Sequence, residues 1–158
     1  ICDVIVHENA KLSFVQALHM RSAEGVYFIN DTRMKVSKSA ELEVLNYSSG
    51  TRMARHEYDA ELSDAGAQIQ LYSLAEGVKK SQTIVSSNIV HAKGETMSDQ
   101  LAKSLLADES EFVFSGRLEI AEDAQKSDAS QYNHNMLLSD KAAAYTRPQL
   151  EVFADDVK

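Results

Sequence analysis

Five histidines and one cysteine are the residues of this sequence best suited to metal binding or nucleophilic chemistry. No histidine has a partner at the spacing of metal ligands, since the sequence contains neither His-x-x-x-His nor Cys-x-x-Cys. Cys2 has no visible activating base, so we expect it to take an ordinary packing role. We expect surface or hydrogen-bonded strand positions for the histidines, which are His7, His19, His56, His91 and His134. The sequence therefore predicts no catalytic residue and no metal ligand.

Two pairs of adjacent acids, Glu122-Asp123 and Asp155-Asp156, could supply carboxylates for hydrolysis. Solenoid enzymes that act on acidic polysaccharides use such groups on their outer face, so a β-helical carbohydrate-active enzyme is an alternative function. Adjacent residues of a strand point to opposite faces, which favours solvated turns as the interpretation of both pairs. Dinucleotide-binding, serine-hydrolase and phosphate-loop motifs are absent, and the sequence predicts a protein that is not an enzyme.

Three amides, Gln131, Asn133 and Asn135, fall on one side of a predicted strand. They could bind a ligand or form hydrogen bonds to neighbouring strands in a stacked ladder. The ladder is the favoured interpretation.

The elements that position these residues are short strands, which the sequence marks by polar–apolar alternation. Small residues precede most of them, at Ala10, Ala40, Ala67 and Ser115-Gly116, and indicate turns. We predict that the apolar residues of these strands form one continuous core, made of Leu12, Phe14, Leu42, Val44, Ile69, Leu71, Leu118, Ile120, Leu150 and Val152. The alternating segments are residues 11–14, 41–44, 68–71, 117–120 and 149–152.

The scarcity of glycine decides between all-β architectures. The sequence has six glycines and none follows Asn or Asp, so tight two-residue hairpins are rare. A β-solenoid with coils of about 20–30 residues needs no such hairpins, and this chain would make about six turns. Residues 96–107 compete with this prediction, because they contain good helix formers with Leu101 and Leu105 four residues apart.

The composition narrows the function classes. The chain has 158 residues with a formal net charge of −8 and 44% hydrophobic residues, which predicts a single domain over 1–158. An acidic chain without a basic run is not expected to bind nucleic acid. The longest apolar runs have four residues, at 26–29 and 142–145, whereas a membrane span needs about 20. A single cysteine makes a reducing cytoplasmic setting the expectation.

Four consecutive blocks in the last third of the chain resemble the core of the SufB/SufD family of iron–sulfur cluster assembly proteins. These blocks are residues 112–120, 123–131, 133–140 and 148–158, and looser similarity extends upstream through Glu8-Asn9-Ala10, residues 72–74 and residues 89–91. The resemblance implies a right-handed parallel β-helix and a strand rather than a helix at 96–107. It also implies a scaffold that acts with SufB and the ATPase SufC. A purely structural solenoid without chemistry is a further alternative function.

Details of the resemblance point to the SufD type. Family members of the SufB type carry a cluster-related cysteine where this chain has Ala142. The resemblance further implies a Cys-Ser-His-Gly motif directly after Lys158 and a C-terminal helical region that docks SufC, so we expect this chain to be a truncated core domain. It also implies that an Fe–S cluster is present only transiently in the assembled complex. We expect none on this chain alone, because Cys2 is its only cysteine.

The candidate partner interface lies at the end of the sequence. We interpret residues 148–153 as a strand that begins at Pro148 and fills one face with apolar side chains. Such an edge recruits other chains, so we expect a SufB-like partner there and self-association of the isolated chain, most simply as a dimer. The candidate interface residues are Pro148, Leu150, Val152, Asp155, Asp156 and Lys158.

Overall fold

The computed structural model describes residues 1–20 and 25–158, and the regular elements in these residues are all β-strands. The all-β prediction is confirmed. The strands are β1 (Cys2–Val6), β2 (Lys11–His19), β3 (Tyr27–Val36), β4 (Glu41–Ser49), β5 (Met53–Leu62), β6 (Gln68–Gly77), β7 (Gln82–His91), β8 (Met97–Leu106), β9 (Glu111–Ile120), β10 (Asp128–Leu137) and β11 (Ala143–Val152).

Successive strands alternate between two parallel sheets. Sheet A contains the odd-numbered strands in the order β1-β3-β5-β7-β9-β11, and sheet B contains the even-numbered strands in the order β10-β8-β6-β4-β2. Each coil therefore adds one strand to each sheet, and the chain forms a β-solenoid of about five turns. No helix among the described residues is long and apolar enough to cross a membrane.

The alternating segments predicted from the sequence stack on one another in register. Leu12 pairs with Leu42 and Leu42 with Ile69 at the beginning of β2, β4 and β6, while Leu118 pairs with Leu150 at the end of β9 and β11. Residues 97–106 form strand β8 between β6 and β10, so pairing on both edges prevails over the local helix propensity. The strands are longer than predicted, and most have ten residues.

The corners repeat the same backbone conformation. The turns from sheet A to sheet B each contain a residue with positive φ, and a residue with a small or short polar side chain follows it directly before the next strand. Predicted corner residues Ala40 and Ala67 are fully buried there. The positive-φ residues of this corner are Asn9, Ser39, Gly66, Glu95 and Lys126.

One predicted turn and one predicted strand start are wrong. Ser115 and Gly116 lie inside β9, and Pro148 lies in the middle of β11 rather than at its start. Gly116 is small for a packing reason, because the Gln131 side chain occupies the space where a Cβ would be. Pro148 is tolerated because β11 is the outermost strand of sheet A among the described residues, where a missing N–H leaves no described partner unpaired.

The prediction of one continuous apolar core is only partly correct. Phe14 is half-buried, whereas Leu12, Leu150 and Val152 are exposed, because they lie in the end coils with no strand stacked beyond them. Leu118 and Ile120 belong to a second cluster with Ala124 and Ala154, distinct from the main one. The predicted residues that are buried are Leu42, Val44, Ile69, Leu71, Leu118 and Ile120.

Candidate functional site

The C-terminal coil presents two strand edges to solvent. Within the described residues, strand β11 pairs only with β9 and β10 pairs only with β8. The other edge of β11 has no neighbouring strand, and residues 157–158 cover only the beginning of the other edge of β10. An unpaired edge carries N–H and C=O groups that can accept another strand. All six candidate interface residues lie on this coil or in the segment that follows it.

Apolar side chains of β11 point toward the solenoid interior but remain open to solvent. Leu150 and Val152 stack on Leu118 and Ile120 of β9, yet they are 67% and 41% exposed. Phe153, directly after β11, is 61% exposed. Pro148, in register with Gly116, is also exposed. This surface has the chemistry of a protein contact, since it combines uncovered apolar side chains with an unpaired strand edge.

The segment after β11 is held against the preceding coil by its backbone. The Lys158 N–H donates to the Ser127 carbonyl at 3.0 Å, and the Lys158 carbonyl accepts from the Ala129 N–H at 3.0 Å. The Asp156 N–H donates to Gln125 Oε1 at 2.9 Å. Asp155, Asp156 and Lys158 are exposed on this corner, beside the apolar face of β11.

An ion-pair network joins β11 to the strands before it. The Arg117 guanidinium donates to Glu151 Oε2 at 2.8 Å, to Glu119 Oε2 at 2.6 Å and to Asn88 Oδ1 at 3.1 Å. Hydrogen bonding to Arg117 lowers the pKa of the Glu151 carboxyl, and hydrogen bonding to Glu151 raises the pKa of Arg117. The outer face of β11 is therefore fixed on β9 while its inner face stays uncovered.

The three amides of β10 form the predicted ladder. Gln131 donates to Gln100 Oε1 of β8 at 2.7 Å, and Asn133 donates to the Ala102 carbonyl at 3.2 Å. Asn135 accepts a hydrogen bond from Ser104 at 2.6 Å. The amides thus connect adjacent coils of sheet B.

Two histidines lie inside the solenoid, which sequence reasoning did not distinguish from the exposed ones. His91 is hydrogen-bonded to Thr96 Oγ1 at 2.7 Å and to Ser98 Oγ at 2.8 Å, and His56 Nε2 is hydrogen-bonded to Ser48 Oγ at 2.6 Å. Both imidazoles are fully buried, and burial lowers the pKa of each to about 4. These side chains are structural parts of the interior.

A polar cluster surrounds His56 and was not predicted. The His56 ring stacks on Tyr58, whose hydroxyl donates to Gln16 Oε1 at 2.9 Å, and Asn30 donates to the same oxygen at 3.2 Å. The sequence signal was a break in the alternation, with polar residues at inward positions of β3 and β5. Three buried atoms of the interior have no hydrogen-bond partner among the described residues: Asn46 Oδ1, His56 Nδ1 and Ser73 Oγ.

The remaining candidate groups lie apart from one another. Glu122 and Asp123 occupy an exposed turn, where the Asp123 carboxylate pairs with Lys93 Nζ at 2.9 Å. Cys2 is half-buried on β1 against the main apolar cluster, at the other end of sheet A from β11. No group of three His, Cys, Asp or Glu side chains within residues 1–20 and 25–158 could hold a metal ion.

Comparison with known proteins decides the family. The whole chain, residues 1–158, matches the family model described as "SUF system FeS cluster assembly, SufBD core domain". This chain belongs to the SufBD core-domain family. The SufBD assignment based on four blocks of sequence is thus confirmed, together with the β-solenoid that it implies.

Curated relatives of this SufBD core chain come from bacteria and a plant. It is 35% identical over 109 residues to the iron–sulfur cluster assembly protein SufD of Escherichia coli, which covers 69% of this chain and 26% of that protein. It is 26% identical over 160 residues to an iron–sulfur cluster assembly SufBD family protein of Synechocystis and 29% identical over 161 residues to protein ABCI7, chloroplastic, of Arabidopsis thaliana. Both alignments cover 100% of this chain, and they cover 34% and 33% of those proteins.

Proposed function

We propose that this SufBD core chain is a non-enzymatic, SufD-like scaffold subunit that acts in iron–sulfur cluster assembly with SufB-like and SufC-like subunits. The similarity to the E. coli protein named SufD supports the SufD-like part, as does Ala142 at the position where the resemblance places a cysteine in SufB proteins. A free, half-buried Cys2 suits a reducing compartment such as the cytoplasm, although the plant relative is named as chloroplastic.

The match of the whole chain to the SufBD core-domain model is the observation that carries this function. Within the described residues, we propose the face of the C-terminal coil as the surface that contacts a partner subunit. Leu150, Val152 and Phe153 expose apolar side chains beside the free edge of β11, and the ion pairs of Arg117 hold that strand in place. A rigid strand with an open edge and an apolar face is suited to bind a strand of another subunit. The acids Asp155 and Asp156 have a peripheral role in this function, because both are exposed on the adjoining corner.

We expect Leu150→Lys to weaken association at this edge at least tenfold, because a charged side chain in an apolar contact loses its solvation. Co-purification with a SufB-like partner and light scattering of the chain alone both report the effect. The isolated wild-type chain should show a concentration-dependent mass that tends to a dimer. Ile29→Lys is the matched control, since Ile29 is 69% exposed on the outer face of sheet A and Leu150 is 67% exposed. Equal binding by the two variants would exclude the edge as the interface.

We expect the chain alone to retain no Fe–S cluster after anaerobic reconstitution and desalting. Cluster ligands are usually thiolates, and the only cysteine lies on β1, far along the solenoid from the C-terminal coil. Iron and sulfide analysis together with the visible absorption spectrum measure this directly. Stoichiometric iron and sulfide in the wild type, absent from Cys2→Ser, would show that Cys2 does bind a cluster.

A further inference from the structure

The outer face of sheet B carries an apolar strip that runs along the solenoid axis. One outward residue from each of its five strands contributes to it, and register pairing places each residue directly beside the next. Val15 at one end is 64% exposed and Tyr132 at the other is 56% exposed. We call this set the sheet B strip, and its members are Val15, Leu45, Tyr72, Leu101 and Tyr132.

A second column widens the strip on one side. Tyr47 and Leu74 lie two residues further along β4 and β6, on the same face. A groove of about 280 Å³ lies between the columns, lined by Leu45, Tyr47, Tyr72, Leu74 and neighbouring residues. The sheet B strip is therefore a shaped surface rather than a set of isolated apolar side chains.

The dimensions of the strip suit one helix. Four strand spacings of about 4.8 Å give a length of about 19 Å, and two columns give a width of about 10 Å. An α-helix of about 13 residues has this length and is about 10 Å across. A stable dimer needs about 800 Å² from each partner, which is more than a strip of about 200 Å² in plan supplies. A second solenoid therefore suits the surface less well than a single helix.

Charge is distributed unevenly on the two sides of the strip. On the side where the strands begin, Glu43 and Asp99 lie next to the apolar column. The column beyond them carries Asp128 and the Lys11–Glu41 ion pair, so this side is acidic overall. The Tyr72 hydroxyl donates to Asp99 Oδ2 at 2.7 Å, which keeps this carboxylate beside the apolar column and raises the pKa of Tyr72 to about 12. The opposite side carries Lys103 and Glu76, whose charges offset one another, and the Glu76 carboxylate accepts a hydrogen bond from the Tyr47 hydroxyl at 2.9 Å.

We propose that the sheet B strip is the docking site for an amphipathic α-helix of a partner protein, with an apolar stripe of about four turns and Lys or Arg residues along the flank that meets Glu43 and Asp99. Helix-on-sheet packing covers the apolar columns, and the basic flank complements the carboxylates. Leu45, Tyr72 and Leu101 of the strip lie on inner strands of sheet B, and only Tyr132 lies on the C-terminal coil. The docking site therefore does not depend on the contact proposed at β11.

The binding test uses a fluorescein-labelled synthetic peptide of 18 residues. The probe carries leucines at i, i+3, i+4 and i+7 and lysines on one flank, and a second probe has glutamates in place of the lysines. Fluorescence anisotropy should show that the lysine probe binds the chain at least tenfold more tightly than the glutamate probe. The double variant Leu45→Ser, Leu74→Ser should weaken binding of the lysine probe at least tenfold. The double variant Glu43→Gln, Asp99→Asn should weaken its binding about threefold or more.

The control replaces two apolar residues on the outer face of the other sheet that are more exposed than Leu45 and Leu74. Ile5→Ser with Ile29→Ser, both outward on sheet A, should bind the lysine probe as the wild type does. Urea unfolding establishes that each variant is folded. Leu150→Lys should bind the probe normally, which separates failure at this site from failure of the C-terminal edge. If the strip variant and the control variant changed the affinity for the lysine probe equally, or if both probes bound equally well, the docking site would be overturned. It would also be overturned if the chain formed a dimer that the Leu45→Ser, Leu74→Ser variant dissociates, because a second copy of the chain would then occupy the strip.

Discussion

We expect the free energy of unfolding of this chain to fall by about 5 kcal/mol between about pH 7.5 and about pH 4.5, because two histidines are held neutral inside the solenoid. His56 and His91 are fully buried, and burial lowers the pKa of each from 6.5 to about 4. The groups that bond to their rings are the hydroxyls of Ser48, Thr96 and Ser98, none of which carries a charge that would stabilise an imidazolium.

The direction of this pH dependence follows from which state, folded or unfolded, binds more protons. Below about pH 6.5 the unfolded chain protonates both histidines, whereas the folded chain does not until about pH 4. The histidine contribution is therefore fully present above pH 6.5 and is lost as the pH falls toward 4, by about 1.4 kcal/mol per pH unit for each histidine. Ion pairing with Lys141 and with Arg117 lowers the pKa of Glu109 and of Glu151 respectively. These carboxylates lose their contribution only at a lower pH, below their ordinary pKa.

Urea unfolding measured at a series of pH values tests this expectation. His56→Gln and His91→Gln should each remove about half of the loss between about pH 7.5 and about pH 4.5, whatever their effect on stability at the higher pH. His134→Gln serves as the control, because His134 is exposed on β10, and it should reproduce the wild-type pH dependence. Proton NMR of the imidazole C2–H gives a second measurement, in which two of the histidine signals should not titrate above about pH 5. An undiminished pH dependence in the variant lacking both histidines would contradict the assignment.

The same interior explains which strands could be predicted from the sequence. Alternation identifies a strand segment when two successive inward residues are aliphatic, as for Leu42 and Val44 of β4 or Leu118 and Ile120 of β9. Inward polar residues interrupt the hydrophobic period of two in β3, β5, β7 and β8, and also in the second half of β4. Those polar residues are acceptable because other strands supply hydrogen-bond partners, as Gln131 of the next coil does for Gln100 of β8. The partner is distant in sequence and becomes visible only when the register of the coils is known.

The free edge of β11 could also be predicted only in part, because its position depends on the order in which the strands stack. Pro148, Leu150 and Val152 indicate an edge strand with an apolar face, but only the stacking order places them on the last strand of sheet A. The sheet B strip could not be derived from the sequence, because its five residues come from five different coils. Each of them looks like an isolated apolar residue on the polar side of an alternating segment.

We expect Gly116→Ala to destabilise the chain by about 3 kcal/mol, although alanine is ordinarily the better residue in a strand. Gly116 lies on β9 and faces the interior of the solenoid. A Cβ at this position would overlap Gln131 Nε2 and would lie 2.8 Å from Cζ of Phe114. The Gln131 amide cannot retreat without losing its 2.7 Å hydrogen bond to Gln100, which is 1% exposed and in turn donates to Ser87. The added methyl group therefore strains the packing and also breaks a buried hydrogen bond.

A double-mutant cycle isolates this cause. Gln131→Ala removes the side chain that occupies the Cβ position, so the variant with both changes should be more stable than the sum of the single effects by about 1 kcal/mol or more. The double variant should regain only part of the stability lost in Gly116→Ala, because the close contact with Phe114 remains. Ser115→Ala is the matched control on the outward face of the same strand, and urea unfolding should show little change. If Gly116→Ala instead left stability unchanged or raised it, as the lower entropy of an unfolded alanine chain would allow, the Gln131 amide would not lie in the space that Gly116 leaves open.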